Sequence, residues 1–292
     1  MSPRVLLATS ANPSASAADD APLVEALQQV GVRADWAVWD DPAAGFDRAD
    51  LVVLRSTWDY PQRREEFLDW CGSVPALANP APVARWNTDK TYLAELAAHG
   101  VEVVPTGLLK PGQPLTGAEL ADWPGREFVL KPSVGAGSRG AARFAPDELE
   151  RAAEHLADLH AEGQVVLVQP YQRFVDREGE TALVFLGGVF SHAFVKGPML
   201  RAEPGELGAG ERRQVVPDAG LRRAAEDAMD AAAAVHGLRR ADLLYARVDL
   251  VRRDDGAALV LELEVTEPSL GFGHADAAAP LRFASAVRAA LR

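Results

Sequence analysis

The sequence predicts an α/β protein in which a small parallel sheet at the N-terminus precedes a larger part with antiparallel strands. In roughly the first 80 residues, short apolar segments alternate with segments of helical spacing, a pattern typical of parallel sheets. Later apolar segments are separated by Gly187-Gly188 and by Asp254-Asp255-Gly256, which are typical hairpin turns. Both kinds of sheet are therefore expected in one chain.

The N-terminal elements follow from where the apolar spacing changes. Proline precedes two of the helices and glycine ends them, as expected at helix boundaries. The elements predicted here are strand 4–9, helix 22–30, strands 33–39 and 50–56, and helix 61–72. The loop after the first strand lacks G-x-G-x-x-G, so a dinucleotide fingerprint is absent.

The remaining elements are assigned in the same way. They are helix 87–99, strand 101–106, a strand from 127 that leads into a glycine-rich loop, helix 146–161, strand 164–171, strands 180–186 and 189–196, a polar segment 197–215, helix 218–236, strands 245–253 and 258–266, and helix 276–291. The strands are rich in β-branched and aromatic residues, and the helices have apolar residues three or four positions apart.

Composition excludes several classes of function. The 292 residues carry 30 Lys and Arg against 42 Asp and Glu, and the net charge of −12 argues against nucleic acid as a partner. The single cysteine, Cys71, allows neither an intramolecular disulfide nor a cysteine-based zinc site. No apolar run is long enough to cross a bilayer. We expect a cytoplasmic protein without a membrane partner.

Lysine is rare in this chain. Of the 30 basic residues only four are lysines, and the other 26 are arginines. A position that keeps lysine is therefore expected to need a compact, strongly hydrated charge. The four lysines are Lys90, Lys110, Lys131 and Lys196.

Acidic residues converge on the last predicted hairpin. Strand alternation places Arg247 and Asp249 on one face, and in the partner strand it places Glu262 and Glu264 together. Three carboxylates this close are unfavourable unless a cation joins them, and oxygen ligands select a hard metal such as Mg²⁺ or Mn²⁺. The alternative is a solvated sheet face with an arginine salt bridge.

Two further segments fit nucleotide binding. Lys131 ends a strand and precedes a loop of small residues, whose N–H groups can approach phosphate oxygens; its members are Ser133, Gly135, Gly137, Ser138, Arg139 and Gly140. The apolar strand that breaks at Gln169, Tyr171 and Gln172 can offer a carbonyl and an N–H to adenine. The alternatives are a glycine-rich turn and an ordinary strand that ends at Pro170.

In this order along the chain, the segments resemble the ATP-grasp superfamily, the glutathione-synthetase-like ATP-binding fold. The resemblance implies ATP and Mg²⁺ (or Mn²⁺) as cofactors. It implies an N-terminal domain 1–84, subdomain 85–168 with the glycine-rich loop, and subdomain 169–292 with the metal site. One departure is Glu262-Leu-Glu264, where the commonest family pattern is Glu-x-Asn.

The resemblance also implies roles for individual residues. Lys90, on its helix, and Lys131 would contact ATP phosphates and adenine, and the loop 133–140 would fold over the β- and γ-phosphates. The segment 169–172 would bind adenine and Glu180 the ribose. Asp249, Glu262 and Glu264 would bind magnesium, while Arg247 and Lys196 would stabilise the transferring phosphoryl group as catalytic residues.

A narrower resemblance rests on Arg55-Ser-Thr-Trp58-Asp59-Tyr60 and on Thr266-Glu-Pro-Ser269. Both segments are similar to the ATP-grasp cyclo-ligases of D-cycloserine biosynthesis, so Arg55, Asp59 and Ser269 are expected at the substrate. Arg55 suits a carboxylate and Asp59 an ammonium group, at the end of a strand where open sheets place ligands. The alternative is that Arg55 and Asp59 pair with each other.

These resemblances imply ATP-dependent activation of a carboxylate as an acyl phosphate, followed by attack of a nitrogen nucleophile. The expected substrate is a small amino acid derivative, O-ureido-D-serine, which closes to D-cycloserine with release of ADP and phosphate. An intermolecular peptide or amide ligase is the first alternative, and a non-catalytic nucleotide-binding module is the second. Whether the protein is a homo-oligomer is left open.

Overall fold

The computed structural model describes residues 2–12, 15–200 and 210–291, which form three β-sheets flanked by helices. The strands are β1 Arg4–Thr9, β2 Arg33–Val38, β3 Leu51–Ser56, β4 Leu77–Ala78, β5 Gly107–Leu109, β6 Phe128–Pro132, β7 Ala142–Phe144, β8 Val166–Pro170, β9 Glu180–Leu186, β10 Val189–Lys196, β11 Arg212–Gln214, β12 Tyr245–Arg252 and β13 Ala258–Glu264. Residues 201–209 of the polar segment 197–215 lie outside the described residues.

The α-helices cover one or both faces of these sheets. They are α1 Leu23–Gln29, α2 Arg64–Ser73, α3 Ala81–Asn87, α4 Tyr92–Ala98, α5 Leu149–Ala161, α6 Val175–Glu178, α7 Ala219–Val235 and α8 Ala279–Ala290. No helix of the described ranges is both long and apolar enough to span a membrane.

The N-terminal sheet, sheet A, has the strand order β2-β1-β3-β4, and its strands are parallel as the alternation predicts. One face packs on α2 and α3 through Leu6, Leu54 and Phe67. The opposite face shares a core with the C-terminal helix, in which Val5 and Leu7 belong to the same apolar cluster as Phe283. Sheet A is thus packed directly against the rest of the protein.

Two antiparallel sheets follow in the chain. Sheet C has the order β5-β8-β6-β7 and packs on α5, whereas sheet B has the order β11-β10-β9-β12-β13 and packs on α7. Tyr171 and Val129 from the first sheet meet Val251 and Leu259 from the second in a small apolar cluster. The two sheets therefore face each other, and a cavity lies between them.

Two predicted elements differ from the structure. Helix 87–99 is two helices, and Lys90 lies in the turn between them, because its backbone N–H donates to Ser133 O (2.8 Å) instead of continuing a helix. Strand 101–106 is a single bridge between Val103 and Val260. Pro105 has no N–H to extend the ladder, and the strand forms only at 107–109.

Candidate active site

Three carboxylates meet at one end of the β12–β13 ribbon. Asp249 pairs with Glu262, and Arg247 with Glu264, in the antiparallel register. One oxygen each of Asp249, Glu262 and Glu264 lies within 4.8 Å of the others. The period-two alternation of the two strands is sufficient to produce this arrangement, and it is the one predicted from the sequence.

Each of these carboxylates has a cationic partner. Lys131 Nζ donates to Glu262 at 2.7 Å, and Lys196 Nζ donates to Asp249 at 2.6 Å. Arg247 binds Asp249 through two nitrogens, at 2.9 and 3.0 Å, and also donates to Glu264. Three of the six cationic site residues predicted from the sequence, Lys131, Lys196 and Arg247, thus contact the acidic cluster.

The acidity of the carboxylates differs within the cluster. Burial alone would raise the pKa of Glu262, but Lys131 and Lys90 outweigh it and lower that pKa to about 2. Burial also opposes ionisation of Asp249, yet Arg247 and Lys196 hold its pKa below the usual range. For Glu264, burial together with Asp249 and Glu262 raises the pKa despite Arg247. Of the three carboxylates, only Glu264 therefore has a raised pKa, to which the neighbouring negative charges contribute.

The residues present fit a hard divalent cation. The donors are carboxylate oxygens only, and the three side chains converge within the distance that one ion could bridge. Burial and the neighbouring carboxylates Asp249 and Glu262 raise the pKa of Glu264, as expected where negative charge is crowded. A cation at this position would relieve that repulsion.

A cavity of about 700 Å³ opens above the cluster, between sheets B and C. Its inner wall is apolar and includes Val104, Val129, Val251 and Leu261. Most of the predicted site residues line it, namely Lys90, Lys131, Gly135, Gly137, Ser138, Arg139, Gln169, Tyr171, Gln172, Glu180, Lys196, Arg247, Glu262, Glu264 and Ser269. The cavity thus combines a flat apolar slot with a strongly charged end.

The glycine-rich loop is held over this cavity by Lys90. Lys90 Nζ donates to Gly135 O at 2.7 Å, which anchors the start of the loop. Gly137, Ser138 and Gly140 have left-handed φ angles of 65°, 58° and 73°. Such a backbone turns its N–H groups toward a common side, as an anion-binding loop requires.

The strand end at 169–172 has few free backbone groups. The backbone N–H of Tyr171 donates to Glu127 O at 2.8 Å, and the carbonyl of Pro170 accepts from the side-chain Nε2 of Gln172 at 3.0 Å. Gln169 Nε2 donates to Thr106 at 2.8 Å. Within the described residues the backbone N–H of Gln172 has no partner, so it is free to donate to a ligand at this edge of the cavity.

Lys196 connects two elements of the site. Its ammonium group lies between Asp249 and Glu180, at 2.6 and 2.9 Å. Two carboxylates around one ammonium outweigh burial and raise the pKa of Lys196 above its ordinary value, so this lysine is charged at any physiological pH. Glu180 therefore reaches the cavity next to the charged end.

The structure does not bring Arg55 and Asp59 to the cavity. Arg55 is fully buried, pairs with Asp20 at 3.0 Å, and donates to the carbonyl of Pro268 at 2.9 Å. Asp59 accepts from Trp39 Nε1 at 3.1 Å on another face of sheet A. Neither side chain lines the cavity, and the two do not pair with each other, because Arg55 has Asp20 as its acidic partner.

Sequence reasoning missed several cavity residues, and three of them carry polar or charged groups near the acidic cluster. Arg212 and Glu267 line the charged end, and Asn87 lies beside them. Asn87 clamps β13 through Leu263 O and the N–H of Val265, at 2.7 and 2.8 Å. The only sequence signal for Glu267 was its place between the acidic hairpin and Ser269, and for Arg212 there was none.

A second, shallower cavity of about 850 Å³ lies at the tip of the β9–β10 hairpin. Leu281, Val189 and Phe190 contribute to its lining, and its charged residues are Arg239, Asp242 and Arg282. Arg239 pairs with Asp242, and Arg282 pairs with Asp276. No cluster of carboxylates that could hold a metal ion faces this cavity within the described residues.

Known proteins share this architecture. A crystal structure of D-alanine–D-alanine ligase from Bacillus anthracis superposes with a TM-score of 0.71 at 15% identity, over 99% of this chain and 97% of that one. A crystal structure of D-cycloserine synthetase DcsG superposes with a TM-score of 0.89 at 39% identity, over 99% of this chain and 100% of that one. The fold and the site define an ATP-dependent ligase of the ATP-grasp class.

Sequence similarity specifies the family. The cycloserine biosynthesis protein DcsG of Streptomyces lavendulae is 41% identical over 285 residues, which span 94% of this chain and 94% of that protein. The family model described as the N-terminal domain of D-cycloserine synthetase DcsG matches residues 5–80. The chain belongs to the DcsG family. The fold class predicted from the sequence is confirmed.

Proposed function

We propose that this ligase activates the carboxylate of O-ureido-D-serine with ATP and closes the molecule to the ring of D-cycloserine. The observation that carries the proposal is one cavity that is lined both by the glycine-rich loop and by a charged end. That end consists of Lys131, Lys196, Arg247, Glu262 and Glu264, and the two glutamates form a cluster with Asp249. Membership of the DcsG family supports the choice of substrate. The division into domain 1–84 and subdomains 85–168 and 169–292 stays a proposal, and its boundaries fall within α3 (Ala81–Asn87) and β8 (Val166–Pro170).

ATP binding is assigned to the sheet C side of the cavity. The apolar wall would take adenine, with the N–H of Gln172 as donor and Glu180 near the ribose. Lys131 and the loop of Ser133, Gly135, Gly137, Ser138, Arg139 and Gly140 would hold the phosphates, while Lys90 fixes the loop at Gly135. Lysine suits this task since a compact charge can contact several phosphate oxygens.

Phosphoryl transfer is assigned to the charged end. A carboxylate oxygen of the substrate forms a bond to the γ-phosphorus, the bond to ADP breaks, and an acyl phosphate results. Mg²⁺ held by Asp249, Glu262 and Glu264 would neutralise phosphate charge. Arg247 and Lys196 would stabilise the transferring group, because both line the cavity, are charged and contact Asp249. Positioning and charge stabilisation suffice for this step.

Ring closure then uses a nitrogen of the same molecule. The N–H nitrogen bonded to oxygen attacks the carbonyl carbon, the bond to phosphate breaks, and the nitrogen loses its proton. The ring nitrogen still carries the carbamoyl group, which leaves with one water as carbon dioxide and ammonia. Because the nucleophile is tethered, its effective concentration is high. Burial raises the pKa of the Cys71 thiol, which agrees with a reaction that needs no protein nucleophile.

The test is a reaction without any acceptor amine. Enzyme, Mg²⁺, ATP and O-ureido-D-serine are incubated, and D-cycloserine and ADP are measured by mass spectrometry. We expect both products in equal amounts with this single organic substrate. A Glu262→Gln preparation, purified in the same way, controls for contaminating ATPase. Product that forms only after a second amine is added would refute cyclisation and favour the intermolecular ligase.

A further inference from the structure

The segment Thr266-Glu267-Pro268-Ser269-Leu270, hereafter the TEPSL segment, follows β13 and is held along its whole length by side chains. Each of its five consecutive carbonyls accepts a hydrogen bond from a side chain of another element. The donors, from Thr266 to Leu270, are Tyr245 at 2.8 Å, Trp58 at 2.9 Å, Arg55 at 2.9 Å, Arg247 at 2.9 Å and His192 at 2.7 Å. No carbonyl of the segment is left to solvent.

This clamping fixes which side chains face the cavity. Glu267 and Ser269 line it, whereas Leu270 is fully buried in the core. Arg55, which the sequence placed at the substrate, and Trp58 donate here to backbone carbonyls of the TEPSL segment. They are positioning residues, and the residues they position are Glu267 and Ser269.

Glu267 differs from the other carboxylates of the cavity. Asp249, Glu262 and Glu264 each contact a lysine or arginine, but the Glu267 side chain has no ion pair within the described residues and accepts only from its own backbone N–H. It is only 9% exposed. Burial and the charge of Glu264 raise the pKa of Glu267 to about 8, although Lys90 opposes the shift. A buried carboxylate without a partner is unfavourable, so the site favours an incoming cation.

We propose that Glu267 binds the ammonium group of the amino acid substrate, an inference that rests on the proposed function. The substrate carboxylate must reach the phosphoryl group beside Arg247, and the ammonium group is attached to the adjacent carbon. Arg247 itself donates to Ser269 O at 2.9 Å, which places the TEPSL segment next to the carboxylate position. An ammonium group next to the TEPSL segment would contact the carboxylate of Glu267 rather than that of Asp59.

Arg212 supports the same orientation. It donates to Ser269 Oγ at 2.9 Å and has no acidic partner within the described residues. Burial and the charge of Arg247 lower the pKa of Arg212, as expected where two cations face one space. Two guanidinium groups on one side and an unpaired carboxylate on the other form a complementary pair for a zwitterion.

The experiment compares two substrates in two variants. O-ureido-D-serine and its analogue without the amino group are assayed for ADP release with wild-type enzyme and with Glu267→Gln, which keeps size and removes charge. We expect kcat/KM for the amino acid to fall about tenfold to 100-fold, in the range of a lost charged hydrogen bond, and kcat/KM for the analogue to change less than about threefold. The KM for ATP should stay the same.

Matched variants separate binding from folding. Glu267→Asp retains the charge and should recover part of the loss, while Glu102→Gln, at a residue with a 73% exposed side chain, should behave as wild type. Equal losses with both substrates, or no loss with either, would overturn the assignment of Glu267. The wild type could release ADP with another amino acid and form no D-cycloserine. In that case only the proposed function would fail, because Glu267 can still be tested by comparing that amino acid with its analogue without the amino group. If the wild type turned over only carboxylic acids that lack an amino group, the inference about Glu267 would itself be overturned.

Discussion

Arg55 and Arg247 are two buried arginines that contact neighbouring carbonyls of the TEPSL segment, yet they lie in different surroundings. Arg247 belongs to the antiparallel sheet B and faces a cavity with three carboxylates. Arg55 ends a parallel strand of sheet A, has Asp20 as its acidic partner, and lies 5.3 Å from the centre of the Tyr245 ring. The comparison teaches that a strand-end arginine indicates a ligand site only when its surroundings leave charge uncompensated.

The largest expected effect lies on the Arg247 side. Glu262→Gln removes one charged oxygen ligand from the cluster, and ADP release should fall about 1000-fold or more, in the range seen when a transition-state charge partner is removed. The protein should still fold, but with a lower melting temperature, because Lys131 loses the carboxylate with which it pairs. Turnover within a few-fold of wild type would contradict the metal assignment.

On the Arg55 side we expect a loss of stability instead. Arg55→Met leaves Asp20 buried without its cation and should lower the free energy of unfolding by about 3–5 kcal/mol in a denaturant titration. Adding Asp20→Asn to Arg55→Met removes the uncompensated charge and should restore part of the lost free energy of unfolding. The KM for ATP should stay near the wild-type value in folded protein. A large rise in that KM with unchanged stability would move Arg55 back to the active site.

The difference between these arginines also marks what the sequence could predict. The acidic cluster was predictable because strand alternation has a period of two, and the β12–β13 hairpin fixes the register locally. The environment of Arg55 was not predictable, since Asp20 lies 35 residues earlier in a short 3₁₀-helix, Ala15–Asp20, whose sequence has no apolar periodicity. Glu267 was missed for the same reason: its clamping by Trp58 joins elements more than 200 residues apart.

Lysines sharpen the comparison further. Lys131→Arg replaces a compact charge by a planar group in a crowded site, where Lys131 Nζ lies 2.7 Å from Glu262. We expect the KM for ATP to rise about 100-fold, measured from initial rates of ADP release. Lys110 is exposed on a loop, so Lys110→Arg serves as the control and should leave the KM for ATP unchanged. Equal behaviour of the two variants would contradict a specific need for lysine.

The smallest effect concerns pH. Glu264, Lys90 and Arg247 face Glu267, whose pKa of about 8 means that the ionised form gains population as pH rises through that value. Substrate affinity should therefore rise with pH and level off above about 8, with at most a tenfold change per pH unit. Calorimetric titration in wild type and in Glu267→Gln checks this. A pH dependence that survives in the variant would assign the titration to another group.

Carboxylate activation at the Arg247 side is the central claim, and isotope transfer tests it most directly. O-ureido-D-serine labelled with ¹⁸O in both carboxylate oxygens is turned over with ATP and Mg²⁺, and the released phosphate is examined by mass spectrometry. An acyl phosphate passes one substrate oxygen to phosphate, so we predict phosphate that carries one ¹⁸O and D-cycloserine that retains the other. Phosphate without label, together with ADP release, would contradict the account.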